Sequence, residues 1–238
     1  QVERLDLLNK TAKDMMVQTR LVEARAILER VIERDPENTQ AMMFLATALE
    51  SMGLIEESMA MFDRACSIAP DNIGLISASV FACDRRPGST LEDGYKIRRR
   101  FNEIVTAKMP PPMPHANTRD PERKLRVGYV SGDLRNHSAA KVFAAVLANH
   151  EVRDFDICAY ATQPGVDWMT ETLKAAIPHW RDVSAWSNER VFQQIQADQI
   201  DILVDLSGHS AGNRLHVFAR KPAPIQITAL GYITGTGL

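Results

Sequence analysis

ILVDLSGHSAGNRLHVFARKPAPIQITALGYITGTGL, residues 202–238, contains two short apolar runs, each closed by a polar turn that carries glycine. ILVDL (202–206) and IQITAL (225–230) are short, rich in aliphatic residues with β-branched members, and bounded by turn formers, so both predict strands. The turn behind the first holds Ser207, Gly208, His209, Ser210, Asn213 and Arg214; behind the second come Gly231, Tyr232, Thr234, Gly235, Thr236 and Gly237. Small polar residues and a histidine just past a buried strand are what a ligand-binding strand end requires.

The same grammar extends upstream. LRVGYVS (125–131) and DICAYA (156–161) predict two more strands, and 139–150, 169–177 and 188–197 predict helices between them. Strands alternating with helices imply a parallel sheet covered on both faces, so residues 125–238 are expected to form a Rossmann-like α/β domain. Asp133, Asn136 and His137 follow the first strand, and Thr162 and Gln163 follow the second. A parallel sheet delivers all four turns to one edge, where His137 and His209 are expected to share a hollow. Each residue also has a plainer use. His137 could cap a helix, His209 could bond within its turn, and Arg214 could be a surface ion-pair partner. Asp205, inside an apolar strand, needs a hydrogen-bond partner if buried. His115, His150, His179 and His216 are expected in linker, helix or exposed positions.

Several chemistries find no support. The turn after LRVGYVS lacks the glycine pattern of a dinucleotide fold, and the chain has no Walker loop and no G-x-S-x-G elbow. The histidines are not at zinc-ligand spacing, so no metal is expected. What remains is an edge suited to hydrogen bonding or acid–base work on a sugar or phosphate.

The first half repeats itself. VEARAILERVIERDPEN and IEESMAMFDRACSIAPDN align so that Glu23 and Glu57, Ala26 and Ala60, Arg30 and Arg64, and Pro36 and Pro70 each lie 34 residues apart. That is the period of tetratricopeptide repeats, a helix–turn–helix unit closed by proline. Gly53 is the expected stop of the helix 39–53, and 73–108 reads as more helix, with helical spacing over 90–108. Prolines crowd residues 110–121, which places a semi-rigid linker there. The expected divisions are 1–108 helical repeats, 109–124 linker and 125–238 α/β domain.

A net charge of -2 gives no footprint for nucleic acid, and the Arg98–Arg100 run reads as a solvated helix face. Cys66, Cys83 and Cys158 are scattered, as expected for reduced thiols of a cytoplasmic protein. No run reaches membrane-spanning length. Gln rather than Met at position 1 is read as a trimmed N-terminus.

The repeats, then LRVGYVSGDLRNHS, then DILVDLSGHSAGNRL…ARKPAPIQITALGYITGTGL, resemble the O-GlcNAc transferase and SPINDLY family of glycosyltransferases. The resemblance implies the GT-B architecture, with two Rossmann-like domains facing each other across a cleft. It implies transfer of GlcNAc from UDP-GlcNAc, or fucose from GDP-fucose, to Ser or Thr of a protein acceptor held by the repeats. The configuration inverts and no metal is needed. It assigns His137 to the acceptor and sugar, His209 to the D-L-x-G-H histidine, Arg214 to the cleft, and the Gly231–Gly237 turn, with Tyr232, Gly235 and Thr236, to the donor site. Thr162 is placed among the substrate-binding groups by its strand end. Ile233 stands where the family usually has proline. The second Rossmann-like domain, which carries most nucleotide contacts, is expected beyond Leu238, so these residues are expected to be inactive alone. Two rival readings are a non-catalytic interaction module and a transferase for lipid or small-molecule acceptors.

Overall fold

The computed structural model describes residues 2–107, 109–232 and 234–238, and the chain divides into two compact units, one ending at Ile104 and one beginning at Val105. Gln1, Lys108 and Ile233, with the expectations attached to Gln1 and Ile233, lie outside the described residues.

The first unit is helical: α1 (Val2–Val17), α2 (Leu21–Arg34), α3 (Thr39–Ser51), α4 (Ile55–Ile68), α5 (Ile73–Arg85) and the start of α6 (Leu91–Ala107). The 34-residue period is visible as repeated bonds. Asn38 Oδ1 accepts from Ala41 N at 2.9 Å to cap α3, and Asn72 Oδ1 accepts from Leu75 N at 3.2 Å to cap α5. Such caps satisfy donors that the first helical turn leaves open. Arg64 donates to the Pro36 carbonyl at 2.8 Å, and Arg100 donates to the Pro70 carbonyl at 3.4 Å. Gly53, at φ +80°, ends α3 in the left-handed region. Phe62 packs with Ala46 and Ala82, small residues that let neighbouring helices approach. The arginine run differs from expectation: Arg98 is mostly buried and donates to both Asp84 oxygens, at 2.6 and 2.5 Å. Helical geometry turns one of three successive arginines inward.

The second unit is a five-stranded, wholly parallel sheet ordered β3-β2-β1-β4-β5. Its strands are β1 (Leu125–Ser131), β2 (Phe155–Ala161), β3 (His179–Asp182), β4 (Ile202–Asp205) and β5 (Ile225–Thr228). Helices α7 (Ser138–Ala148) and α8 (Trp168–Ala176) cover one face, through Phe143, Leu147, Met169 and Leu173 on Val127, Tyr129 and Val204. Helices α9 (Asn188–Ala197) and α10 (Leu215–Phe218) cover the other, through Val191, Ile195, Val217 and Phe218 on Val130, Tyr160 and Leu203. Successive residues of β1 thus serve opposite cores, which is why the strand reads as a continuous apolar run. The parallel pairing sends every strand out at the same edge.

Two elements escaped the sequence pattern. β3, HWRD, is an edge strand of four residues, and His179, exposed as expected, lies on it with Nε2 3.0 Å from Asp156 Oδ1. α10 is a single turn.

The proline-rich stretch is fastened rather than free. Residues 109–124 form no helix or strand. Yet Asn117 Nδ2 donates to Asp201 Oδ1 at 2.7 Å, and Arg123 grips the same carboxylate at 2.6 and 2.7 Å. Arg126 N adds a fourth bond at 2.9 Å. Burial alone would raise the Asp201 carboxyl, but these donors hold it below the usual carboxylate range. The segment therefore falls within the compact unit that begins at Val105.

Asp201→Ala should destabilise the second unit by about 1–3 kcal/mol, because it leaves the N–H groups of Asn117 and Arg126 at this point without their shared acceptor. Arg99→Ala, which breaks an exposed pair, should cost about 0.3 kcal/mol. Urea denaturation measures both. Since the Asp201 carboxyl titrates lower folded than unfolded, its contribution is full at neutral pH and fades on acidification into the carboxylate range. The gap between wild type and Asp201→Ala should narrow there.

Candidate functional site

The site is the carboxyl edge of the sheet, where the loops after β1, β2, β4 and β5 are tied together. At its centre is Asp205, the last residue of β4 and 1% exposed. Its carboxylate accepts from Ser207 N at 3.0 Å and from Gly208 N at 3.0 and 3.1 Å, with Thr228 Oγ1 at 3.5 Å. These bonds bend the chain back over the strand end. Burial outweighs them and raises the Asp205 carboxyl above its ordinary value. This satisfies the partner that the sequence demanded, with a structural role.

Ser207 then joins β4 to β1: Gly132 N donates to Ser207 Oγ at 3.0 Å. Thr162 joins β2 to β4 by donating to the Gly212 carbonyl at 2.6 Å. Asp167 joins α8 to the β1 loop, accepting from Met169 N, Thr170 N and Asn136 N. The β5 loop lies across the β4 turn with no room to spare. A Cβ on Gly231 would stand 1.5 Å from the Leu206 carbonyl oxygen, and one on Gly208, at φ +53°, would stand 2.2 Å from the Tyr232 ring.

His209 is inside this knot, 3% exposed. Its Nε2 is 2.9 Å from the Thr236 carbonyl, and its ring meets Tyr232 edge-on at 5.8 Å. A carbonyl only accepts, so Nε2 carries hydrogen. The expectation that both histidines line one hollow is therefore corrected: His209 fills the wall as a strut between two loops. Thr236, itself buried, receives Leu238 N on its hydroxyl at 3.4 Å, while Gly235 is exposed with open space where a Cβ would stand. His137 is half-exposed at the start of α7, with Ala139 N 3.2 Å and Asp133 Oδ2 3.6 Å from Nδ1. Arg214 is not a surface ion-pair partner. It donates to Asn188 Oδ1 at 2.9 Å and to the Val183 carbonyl at 2.8 Å, bracing the β3–α9 connection, and burial lowers its basicity.

Two hollows open nearby. One of about 320 Å³ runs beside β5, where Gln226, Thr228, Thr236 and Leu238 are among its lining. A much smaller one, about 20 Å³, lies past β1 and β2 among Ser131, Gly132, Gln163 and Trp180. Among the described residues no cluster of His, Cys, Asp and Glu has metal-holding geometry. No helix there is long and apolar enough to cross a membrane. Gly132 and Asp167 were missed as site builders, and of the two only Asp167, an acidic residue directly before a helix, left a sequence signal.

Residues 101–238 match the family described as glycosyl transferase family 41, more than half of the chain. The chain belongs to that family. Residues 18–77 match a tetratricopeptide repeat family. Among curated relatives of this family 41 chain, a probable UDP-N-acetylglucosamine–peptide N-acetylglucosaminyltransferase SPINDLY of Petunia hybrida is 36% identical over 126 residues, covering 51% of the chain and 14% of the relative. Its counterpart SEC of Arabidopsis thaliana is 33% identical over 117 residues, covering 48% and 12%. An O-GlcNAc transferase mutant structure from Thermobaculum terrenum superposes with TM-score 0.79 and 24% identity, covering all of the chain and 52% of that structure. The last likeness shows the fold: helical repeats followed by a parallel α/β layer. The chain thus spans a small part of these curated relatives and about half of the solved structure.

Gly231→Ala should destabilise the second unit by about 2–4 kcal/mol and expose amides of 230–238 to hydrogen exchange, because backbone cannot yield 1.5 Å. Gly235→Ala, facing open space, should change stability by less than about 0.5 kcal/mol.

Proposed function

We propose that this chain supplies the acceptor-side half of a protein O-glycosyltransferase. A Ser or Thr hydroxyl oxygen attacks the anomeric carbon of a nucleotide sugar from the face opposite the leaving group. The new C–O bond forms as the bond to the diphosphate breaks, the configuration inverts, the nucleoside diphosphate leaves with the bonding pair, and the hydroxyl proton is released. The donor is UDP-GlcNAc or GDP-fucose, and the repeats hold the protein acceptor. Hydrogen-bond donors, rather than a metal ion, stabilise the leaving diphosphate. The observation that carries this reading is the family match over residues 101–238, laid on a sheet edge whose polar loops are fixed in place. Preorganised dipoles are what charge developing on a leaving group requires.

We propose that this unit is one wall of a two-walled GT-B cleft and that residues 1–238 do not transfer sugar alone. The commitment of His209 and Arg214 to internal bonds favours a second reading, an interaction module with a stabilising α/β cap.

The test is NMR titration of the 15N-labelled chain with UDP-GlcNAc, GDP-fucose and a Ser/Thr-rich peptide, beside a radiolabel transfer assay. Resonances of 132–137 and 231–238 should move with one nucleotide sugar, those of the repeats with the peptide, and no label should be transferred. An edge silent to both sugars at millimolar concentration supports the module instead. Label transfer by these residues alone would refute the half-site reading.

A further inference from the structure

The repeats leave a gap between two equivalent helices. α2 and α4, one repeat apart, both pack on α3. Two side-chain bridges span them. Near the helix starts, Arg25 Nη2 lies 3.4 Å from Glu57 Oε2, and near their ends Arg64 donates to the Pro36 carbonyl at 2.8 Å. Between these bridges lies a hollow of about 660 Å³, within the range of roughly 300–1,000 Å³ typical of ligand pockets. Its lining falls at 25, 29, 32 and 33 of α2 and at 57, 60, 61 and 64 of α4, which is one face of each helix. The interior is apolar. Leu45 and Leu49 of α3, each 3% exposed, line it with Ile32, Ala60 and Met61. Ala60, small and exposed, leaves the space open.

The surface around the hollow is acidic. Residues 21–68 carry nine carboxylate side chains and four arginines. Glu29, Glu33 and Glu57 stand on the rim. Of the two rim arginines, Arg25 is already spent on Glu29 at 2.7 Å and on Glu57, and Arg64 on a carbonyl. A cation arriving from outside therefore meets carboxylates in excess, while nucleic acid and anionic lipid headgroups are repelled.

We propose that this hollow docks a basic protein segment, with a bulky apolar side chain seated against Leu45, Leu49 and Met61 and flanking lysine or arginine on Glu29, Glu33 and Glu57. Apolar burial supplies the affinity, and the carboxylates steer the approach and fix the orientation. Met61, a flexible thioether, adapts to the shape of the seated group. The proposal deepens the reading in which the repeats hold a protein, and rests on it only to that extent.

Fluorescence anisotropy on the full chain tests it with labelled peptides Lys-Lys-X-Lys-Lys, where X is Trp, Leu, Phe or Ser, and with Glu-Glu-Trp-Glu-Glu. The three apolar peptides should bind at least about tenfold more tightly than the serine peptide, and the acidic peptide should not bind. Added salt should weaken the complex. Ala60→Trp, which fills the hollow from an exposed position, should reduce affinity about tenfold or more, and Glu33→Lys about threefold. Val22→Trp, on α2 but outside the lining and 70% exposed, should stay within about twofold of wild type. Circular dichroism checks that each variant is folded. Equal binding of the serine and tryptophan peptides, or affinity unchanged in both Ala60→Trp and Glu33→Lys, overturns the proposal. Co-sedimentation with phosphatidylserine vesicles that Ala60→Trp abolishes would also overturn it, in favour of lipid. The assay holds no nucleotide sugar, so its failure leaves the transfer reading standing, and failed transfer leaves docking standing.

Discussion

Everything at the ligand edge hangs on a carboxylate that never meets water. Asp205 ends β4 in the middle of the sheet, where an unpartnered charge would be intolerable. It is tolerated because the chain turns back and offers two backbone N–H groups within two and three residues. The glycine at the second of them, Gly208, takes the positive φ that such a reversal demands. The carboxylate therefore dictates the turn, and the turn places Ser207 against β1 and His209 against the β5 loop.

The opposite end of the sheet follows a different rule. There Arg181 grips Asp198 with both nitrogens, Tyr160 donates to the same carboxylate at 2.6 Å, and Asp201 is held by Arg123 and Asn117. Burial lifts the Cys158 thiol to about 11 beside this network, so it stays protonated and inert. Formal charges pair off at the amino ends of the strands. At the carboxyl ends, backbone amides, hydroxyls and carbonyls interlock around the carboxylates of Asp205 and Asp167.

The alternation of β-rich runs with helical periods made the parallel sheet legible, and the 34-residue spacing from Glu23 to Glu57 made the repeats legible. β3 was illegible because HWRD is a four-residue edge strand whose pattern is set by Cys158–Ala161 next to it rather than by its own hydrophobicity. The edge loops were legible as a set and not as individuals. Ser207, Gly132 and the Leu206 carbonyl act through backbone atoms or a lone hydroxyl, which any sequence carries in quantity. His209 shows the converse: a residue type that suggests chemistry can serve as a strut, because a buried imidazole makes a rigid two-ended hydrogen-bonding piece. Ile233, where the family has proline, lies outside the described residues.

With His209, Thr162, Thr236, Asp205 and Arg214 spent on holding the wall together, the groups left to face a ligand are few. His137, Arg135, Asn136 and Gln163 stay at least partly exposed after β1 and β2, and Gly235 is exposed after β5. Of these, the arginine, asparagine and glutamine side chains all carry N–H groups. In the function proposed above, a wall so equipped gives hydrogen bonds to ligand oxygens. Discrimination between ligands needs buried polar groups that a wrong ligand leaves unpaired: beside β5, the Gln226 Oε1 that lines the hollow is buried without a hydrogen-bond partner, while the loops past β1, β2 and β4 are bonded to one another.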